Sequence, residues 1–357
     1  MLSCFPDASR QNWLDWRWQF KNRVTSIAGL AGILNRPVTE VEKLREVLGV
    51  YPMAVTPYYL SLIRFDDPND PLALQCIPDL REISLASQCP VDPLNEDSFT
   101  PAPKLLHRYP DRVLALVTKT CATYCRHCNR KRHWKTRDAS SLPGRLKKMV
   151  RYVSDSPQVR EVILSGGDPL TYDDEKLEMI LKAFAAIPHV EVLRIGSRVP
   201  VVLPMRITKN LCRILKRCRP LWFNTQFNHP SEITPESARA CDMLQEAGIP
   251  VSNQSVLLKG INDSPEVMKR LLYGLQKASV RPYYLFHCEP VKGCAHFRTE
   301  VKSGLTMMEG LRRHCSGLAL PQYVADLPGS AGKAPLLALS ASIKNDLRKH
   351  QDFFDFF

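Results

Sequence analysis

No run of about 18 apolar residues occurs in this 357-residue chain, so no segment reads as a membrane-spanning helix. The N-terminus, Met1-Leu2-Ser3-Cys4-Phe5-Pro6-Asp7, lacks the basic stretch and following apolar stretch of an export signal. Low-complexity tracts are missing, and so is any internal repeat beyond a strand-plus-helix unit. Dense cysteine spacing is missing too. Of 12 cysteines, nine are scattered (Cys4, Cys76, Cys89, Cys212, Cys218, Cys241, Cys288, Cys294 and Cys315). That pattern argues against a secreted disulfide scaffold and predicts free, mostly core-filling thiols in a reducing cytoplasm. Acid is in deficit, with 36 Asp and Glu against 49 Lys and Arg, a net charge of +13. Such a balance suits a nucleic-acid or acidic-protein partner, or simply a basic surface. Part of it is local, because Arg126, Arg130, Lys131, Arg132, Lys135 and Arg137 crowd one segment.

A hydrophobic fraction of 44% and a charged fraction of 24% are those of an ordinary globular protein. Residues 1–107 read as helices and connectors, with amphipathic stretches at Trp13–Val24 and Thr39–Leu48 and proline-rich joints at 67–71 and 100–103. The pattern then alternates. Short apolar strands are predicted at Val113–Val117, Val159–Leu164, Val190–Ile195, Leu221–Phe227, Val251–Leu257 and Pro282–His287. Helical periods lie between them, at Leu142–Val153, Asp174–Ile187, Thr208–Cys218, Pro235–Ala247 and Pro265–Ala278. Units of about 30 residues imply parallel strands, hence an α/β fold. Six units suit a partial (β/α)6 TIM-like barrel, although periodicity alone does not separate it from a doubly wound sheet. The expected organisation is a helical region over 1–107, a barrel over 108–300 and a C-terminal segment over 301–357. In a barrel the chemistry sits at the C-terminal ends of the strands.

Cys121-Ala-Thr-Tyr-Cys125-Arg-His-Cys128 is the most informative string in the chain. A C-x3-C-x2-C loop supplies three thiolates, whereas structural zinc and ordinary iron–sulfur sites bring four ligands. Three ligands on a 4Fe–4S cube leave one iron open, and this spacing resembles that of the radical S-adenosylmethionine enzymes. The alternative is a zinc knuckle completed by His127 or a distant cysteine. Ser165-Gly166-Gly167-Asp168, after the second predicted strand, is by itself only a turn. It also lets backbone approach a ligand, with Asp168 placed to accept from an ammonium group.

Several longer strings resemble the lysine 2,3-aminomutase family: Trp16-Arg17-Trp18-Gln19, Tyr58-Tyr59-Leu60-Ser61-Leu62, Arg108-Tyr109-Pro110-Asp111-Arg112, Phe227-Asn228-His229-Pro230, Asn253-Gln254-Ser255-Val256-Leu257-Leu258 and Arg281-Pro282-Tyr283-Tyr284. The similarity runs from about residue 12 to about residue 336. It implies a radical S-adenosylmethionine barrel, a 4Fe–4S cluster on Cys121, Cys125 and Cys128, and pyridoxal phosphate on Lys333 as a Schiff base. The alternative for Lys333 is a solvated lysine on a plain glycine loop. The resemblance further implies that Tyr109 and Arg112 contact the pyridoxal ring and phosphate, and that Arg130 grips the substrate carboxylate. It places His127, Ser165, Gly166, Gly167, Asp168 and Gln254 around S-adenosylmethionine. The implied reaction is hydrogen abstraction by a 5′-deoxyadenosyl radical, then migration of an amino group from C2 to C3 to give a β-amino acid.

The chain departs from the family in places. Two acidic residues recognise the distal ammonium of lysine there; Asp326 matches one, and Glu289 stands where the other is an aspartate. The extra methylene moves the carboxylate by about 1.5 Å, so lysine, arginine, ornithine or a protein-bound lysine all fit the expectation. Gln226 stands at a position that is histidine in well-known members. Ser264 replaces a cysteine that binds zinc across a subunit interface, and no cysteine follows Cys315, so zinc is not expected. The short tail is shared with a sister branch that isomerises a lysine of translation elongation factor P. The aromatic run Phe353-Phe354-Asp355-Phe356-Phe357 has no assigned role. Expected partners are an amino acid substrate, a flavodoxin- or ferredoxin-type electron donor and a second copy of the chain. A basic nucleic-acid binder without catalysis is the competing class, and it has no use for Lys333 or Asp326.

Overall fold

A computed structural model describes residues 5, 8–34, 41–135, 141–328 and 332–337. The terminal aromatic run, Arg137 and Ser330-Ala331 lie outside the described residues, as does the start of the predicted Thr39–Leu48 stretch. One nine-stranded sheet runs in chain order: β1 (Leu105–Tyr109), β2 (Arg112–Thr118), β3 (Glu161–Gly166), β4 (Val192–Gly196), β5 (Leu221–Thr225), β6 (Val251–Leu257), β7 (Arg281–His287), β8 (Gln322–Asp326) and β9 (Lys333–Pro335). Strands β2 to β8 are mutually parallel, while β1 and β9 add antiparallel at the two ends. The sheet is an open, curled α/β barrel. All six predicted strands and all five predicted helices are present with ends within two residues of expectation. A further helix, Val301–His314, leads into β8, a seventh parallel strand beyond the six expected units.

Alternation within the strands explains the layering. Val162 and Leu164, Leu193 and Ile195, and Phe223 are buried, and they pair across the sheet as Leu164 with Ile195 and Ile195 with Phe223. The residues between them, Ile163, Ser165, Arg194, Gly196 and Asn224, line the barrel interior. Opposite faces of one strand thus serve core and site. The helices start where expected because Ser141, Asp173, Thr208, Thr234 and Ser264 cap them through their side chains. Ser264 accepts from the Val267 amide at 3.3 Å.

The N-terminal region differs from its amphipathic reading. Trp13–Val24 divides into Arg10–Leu14 and Trp16–Lys21 at Asp15, whose extended backbone and carboxylate cap the second helix through the Arg17 amide at 2.9 Å. The short helix Pro57–Leu60 of the same region is bonded to the barrel. Thr56 donates to the Val202 carbonyl at 2.5 Å, and the Tyr59 hydroxyl donates to Glu232 at 2.7 Å. No described helix is long and apolar enough to cross a membrane.

Candidate active site

A cavity of about 600 Å³ opens at the C-terminal ends of the parallel strands, and every site residue singled out in the sequence lines it. The cysteine loop follows β2. The Arg198 guanidinium donates to Cys125 Sγ at 2.7 Å, and the Arg130 amide approaches Cys128 Sγ at 3.4 Å. Arg23 donates to the Cys121 carbonyl at 2.5 Å. Burial pushes the Cys121 thiol well up and Cys128 to about 11, with neighbouring cysteines adding to both. A cationic metal centre is what would draw the protons off. Among the described residues no His, Cys, Asp or Glu set is already gathered as metal ligands; the three thiols share one wall of the cavity instead.

His127 is held neutral, its pKa far below the usual value because of burial and then the nearby Arg198 and Lys131 charges. The amides of Asn228 and Gln226 lie 3.3 and 3.4 Å from its Nε2. An amide NH2 only donates, so Nε2 accepts and the proton sits on Nδ1, which is buried without a partner. This engagement occupies Nε2. It leaves one donor for a ligand.

Gly166 and Gly167 answer a tighter constraint than ligand approach. Gly166 has φ +128°, and a Cβ there would stand 2.2 Å from the Thr118 carbonyl oxygen; one on Gly167 would stand 2.3 Å from that of Thr120. The turn after β3 is pressed onto the backbone leading into Cys121. Asp168 fixes the same region: its carboxylate accepts from Ser197 Oγ at 2.8 Å, the Arg198 amide at 2.9 Å and the Leu170 amide at 3.0 Å. Burial, opposed by these bonds, places its pKa at about 6. It therefore ties the ends of β3 and β4 together in addition to facing the cavity.

The far wall is acidic. Glu289, after β7, is half-buried and receives the Asn129 side-chain amide on both oxygens at 3.2 Å. Burial first and the nearby Asp326 second lift its pKa to about 8. Asp326, ending β8, pairs with Arg108 at 2.9 Å and lies 3.6 Å from Lys333 Nζ. Lys333, opening β9, sits 3.4 Å from the Tyr109 hydroxyl, and the Arg112 guanidinium stacks 3.9 Å from the Tyr109 ring. Arg130 pairs with Glu96 at 2.6 Å and keeps an unpartnered buried Nε. Gln254, in β6, lies on the same cavity.

Sequence reasoning gave no role to four members of this site: Arg198, which it placed only at the end of the third strand, Arg108, which it quoted only within a family string, Asn129 and Glu96. Asn129 and Arg108 adjoin residues it named, so adjacency was a usable signal. Glu96 comes from a distant helical segment that no pattern linked to the loop.

Residues 116–272 match the Radical SAM superfamily, which sets the class: an iron–sulfur enzyme that uses S-adenosylmethionine. Over 333 residues the chain is 50% identical to the L-lysine 2,3-aminomutase of Clostridium subterminale, covering 93% of this chain and 80% of that protein. It is 44% identical to that of Bacillus subtilis (strain 168), over 94% of this chain and 71% of the relative. It is also 42% identical to the glutamate 2,3-aminomutase of Clostridioides difficile (strain 630), over 93% and 78%. The chain belongs to the lysine 2,3-aminomutase family of isomerases.

Proposed function

We propose that this enzyme moves the amino group of L-lysine from C2 to C3, giving β-lysine, and that the paired carboxylates Glu289 and Asp326 carry its choice of a cationic substrate. The proximity of Asp326 lifts Glu289 in the ligand-free site, and an arriving ammonium relieves that repulsion. An acidic substrate, such as the glutamate for which the Clostridioides difficile relative is named, would set a further carboxylate against this acidic wall.

The residues fit the implied cofactors. Orphaned buried polar atoms on His127 and Arg130 and three thiols on one cavity wall suit a cluster with its bound cofactor. Lys333, Tyr109 and Arg112, adjoining one another, suit a pyridoxal phosphate. When bound, the cluster and S-adenosylmethionine supply a hydrogen-abstracting radical, and pyridoxal phosphate supplies the π system that eases nitrogen migration. Lys333 would hold the pyridoxal group. Tyr109 would contact the ring, and Arg112 would offer the phosphate a planar fork. Arg130 turns from Glu96 to the substrate carboxylate. Gln254, Ser165, Gly166, Gly167 and Asp168 shape the wall for S-adenosylmethionine. Burial of the walls excludes water that would quench a radical. An external flavodoxin- or ferredoxin-type carrier delivers the electron, which fits a reducing cytoplasm.

The test is an anaerobic assay with reconstituted cluster, S-adenosylmethionine, pyridoxal phosphate, a strong reductant and L-lysine, scored for β-lysine by mass. Abundant β-lysine is expected. Formation of 5′-deoxyadenosine with little β-lysine would move the assignment to arginine, ornithine or the lysine of elongation factor P. Absence of cleavage by a fully loaded cluster would overturn the aminomutase activity.

A further inference from the structure

Outside the cavity, on the cysteine loop itself, Glu82 (0% exposed), Arg126 (0%) and Lys131 (2%) form a group closed to solvent. Arg126 donates to both Glu82 oxygens, through Nε at 2.8 Å and Nη2 at 2.7 Å, and through Nη1 to the Pro52 carbonyl at 2.8 Å. Lys131 Nζ donates to Glu82 at 2.8 Å and to the carbonyls of Arg126 and Gly293 at 2.8 and 2.9 Å. The Tyr51 and Trp134 rings stand 4.2 and 5.7 Å from the same ammonium.

The group is satisfied as hydrogen bonds and unbalanced as charge: two cations share one carboxylate. Arg198, a buried cation following β4, is matched one for one by Glu232 at 2.6 Å. Burying an unmatched cation is costly, and a well-packed apolar side chain would serve stability better. The surplus charge therefore calls for an anion, and the nearest anionic group this family carries is the cluster. Lys131 lies three residues beyond Cys128 and is bonded to the carbonyl of the residue that follows Cys125.

We propose that Lys131 is the fixed countercharge of the iron–sulfur cluster, raising its reduction potential so that it accepts an electron more readily. Three thiolates on a core of charge two plus leave one negative charge. One electron from an external low-potential carrier makes it two, with no bond broken and no proton moved. A cation held in a solvent-free site favours the more negative state, because net charge and surroundings set cluster potentials. Glu82 opposes the field of Lys131 and aims the ammonium.

The experiment is an anaerobic potentiometric titration of the cluster-loaded protein, followed by electron paramagnetic resonance without substrate. Lys131→Met should move the midpoint to a more negative value, lowering the reduced-to-oxidised ratio at a fixed poise by about tenfold. Glu82→Gln should move it the other way, and Lys131→Arg should restore the wild-type value. A merely structural role would move Lys131→Met and Glu82→Gln in the same direction, or neither; either result overturns the proposal. If Lys131→Met does not retain its cluster, Glu82→Gln decides alone: a more positive midpoint supports the proposal, and any other result overturns it. The proposal rests on the cluster reading and not on lysine, so a different substrate leaves it intact. A chain that takes up no cluster fails both.

Discussion

Glu289 shows how one methylene and one environment act together. Its carboxyl lies far from the ordinary carboxylate range because burial penalises its charge and Asp326 repels it, which puts its pKa at about 8. A raised carboxyl is neutral below that pH, and a substrate ammonium must displace its proton. Apparent affinity for lysine should therefore strengthen as pH rises towards about 8 and then level off. Glu289→Gln should abolish that limb and lower kcat/KM for lysine by about 100-fold, roughly 3 kcal/mol, as a pH profile of each enzyme would check. Linkage has the opposite sign in the ligand-free protein: the stability that neutral Glu289 contributes is complete below the unfolded pKa and is lost as pH rises through about 8. Glu289, Asp326 and Lys333 were legible because the resemblance runs on to about residue 336, and they line one cavity. Their partners were not, because Asn129 and Arg108 act through geometry that no spacing encodes.

The turn after β3 is where sequence and packing agree at the scale of an element. Two glycines after a strand read as a turn; their closeness to Thr118 and Thr120 appears only once β2 and β3 lie side by side. Gly167→Ala would drive a methyl into the Thr120 backbone, which has no flexible side chain to give way. The expected result is a loss of about 2 kcal/mol or more in urea unfolding, together with reduced iron content after reconstitution. The six central strands were readable because each is a short apolar run between capped helices. Strands β1, β8 and β9 escaped notice because they are short or polar and owe their state to a neighbour: β9 comprises three residues pairing only with β8. The Trp13–Val24 stretch was read as continuous because its apolar spacing is helical, and only the local bond from Asp15 interrupts it.

At the scale of the whole molecule, the parallel sheet ends in two strands that do not pair with each other, and side chains span the gap. Arg108 on β1 bonds Asp326 and the Leu327 carbonyl, and Tyr109 approaches Lys333. Both members of the Arg108–Asp326 pair are nearly buried, so Arg108→Met leaves an anion with Lys333 as its remaining partner. A loss of about 3 kcal/mol or less is expected, seen as a lower denaturation midpoint and faster proteolysis near the seam. Sheet order repeats chain order, each strand lying beside its sequence neighbour, so on the ribosome each strand can dock onto the one before it as it emerges. In vectorial synthesis the cysteine loop, placed just after β2, is exposed early, while Lys333 arrives with the last strand. Metallation and vitamin capture would then be separate events in the life of a nascent chain, the first able to precede the second.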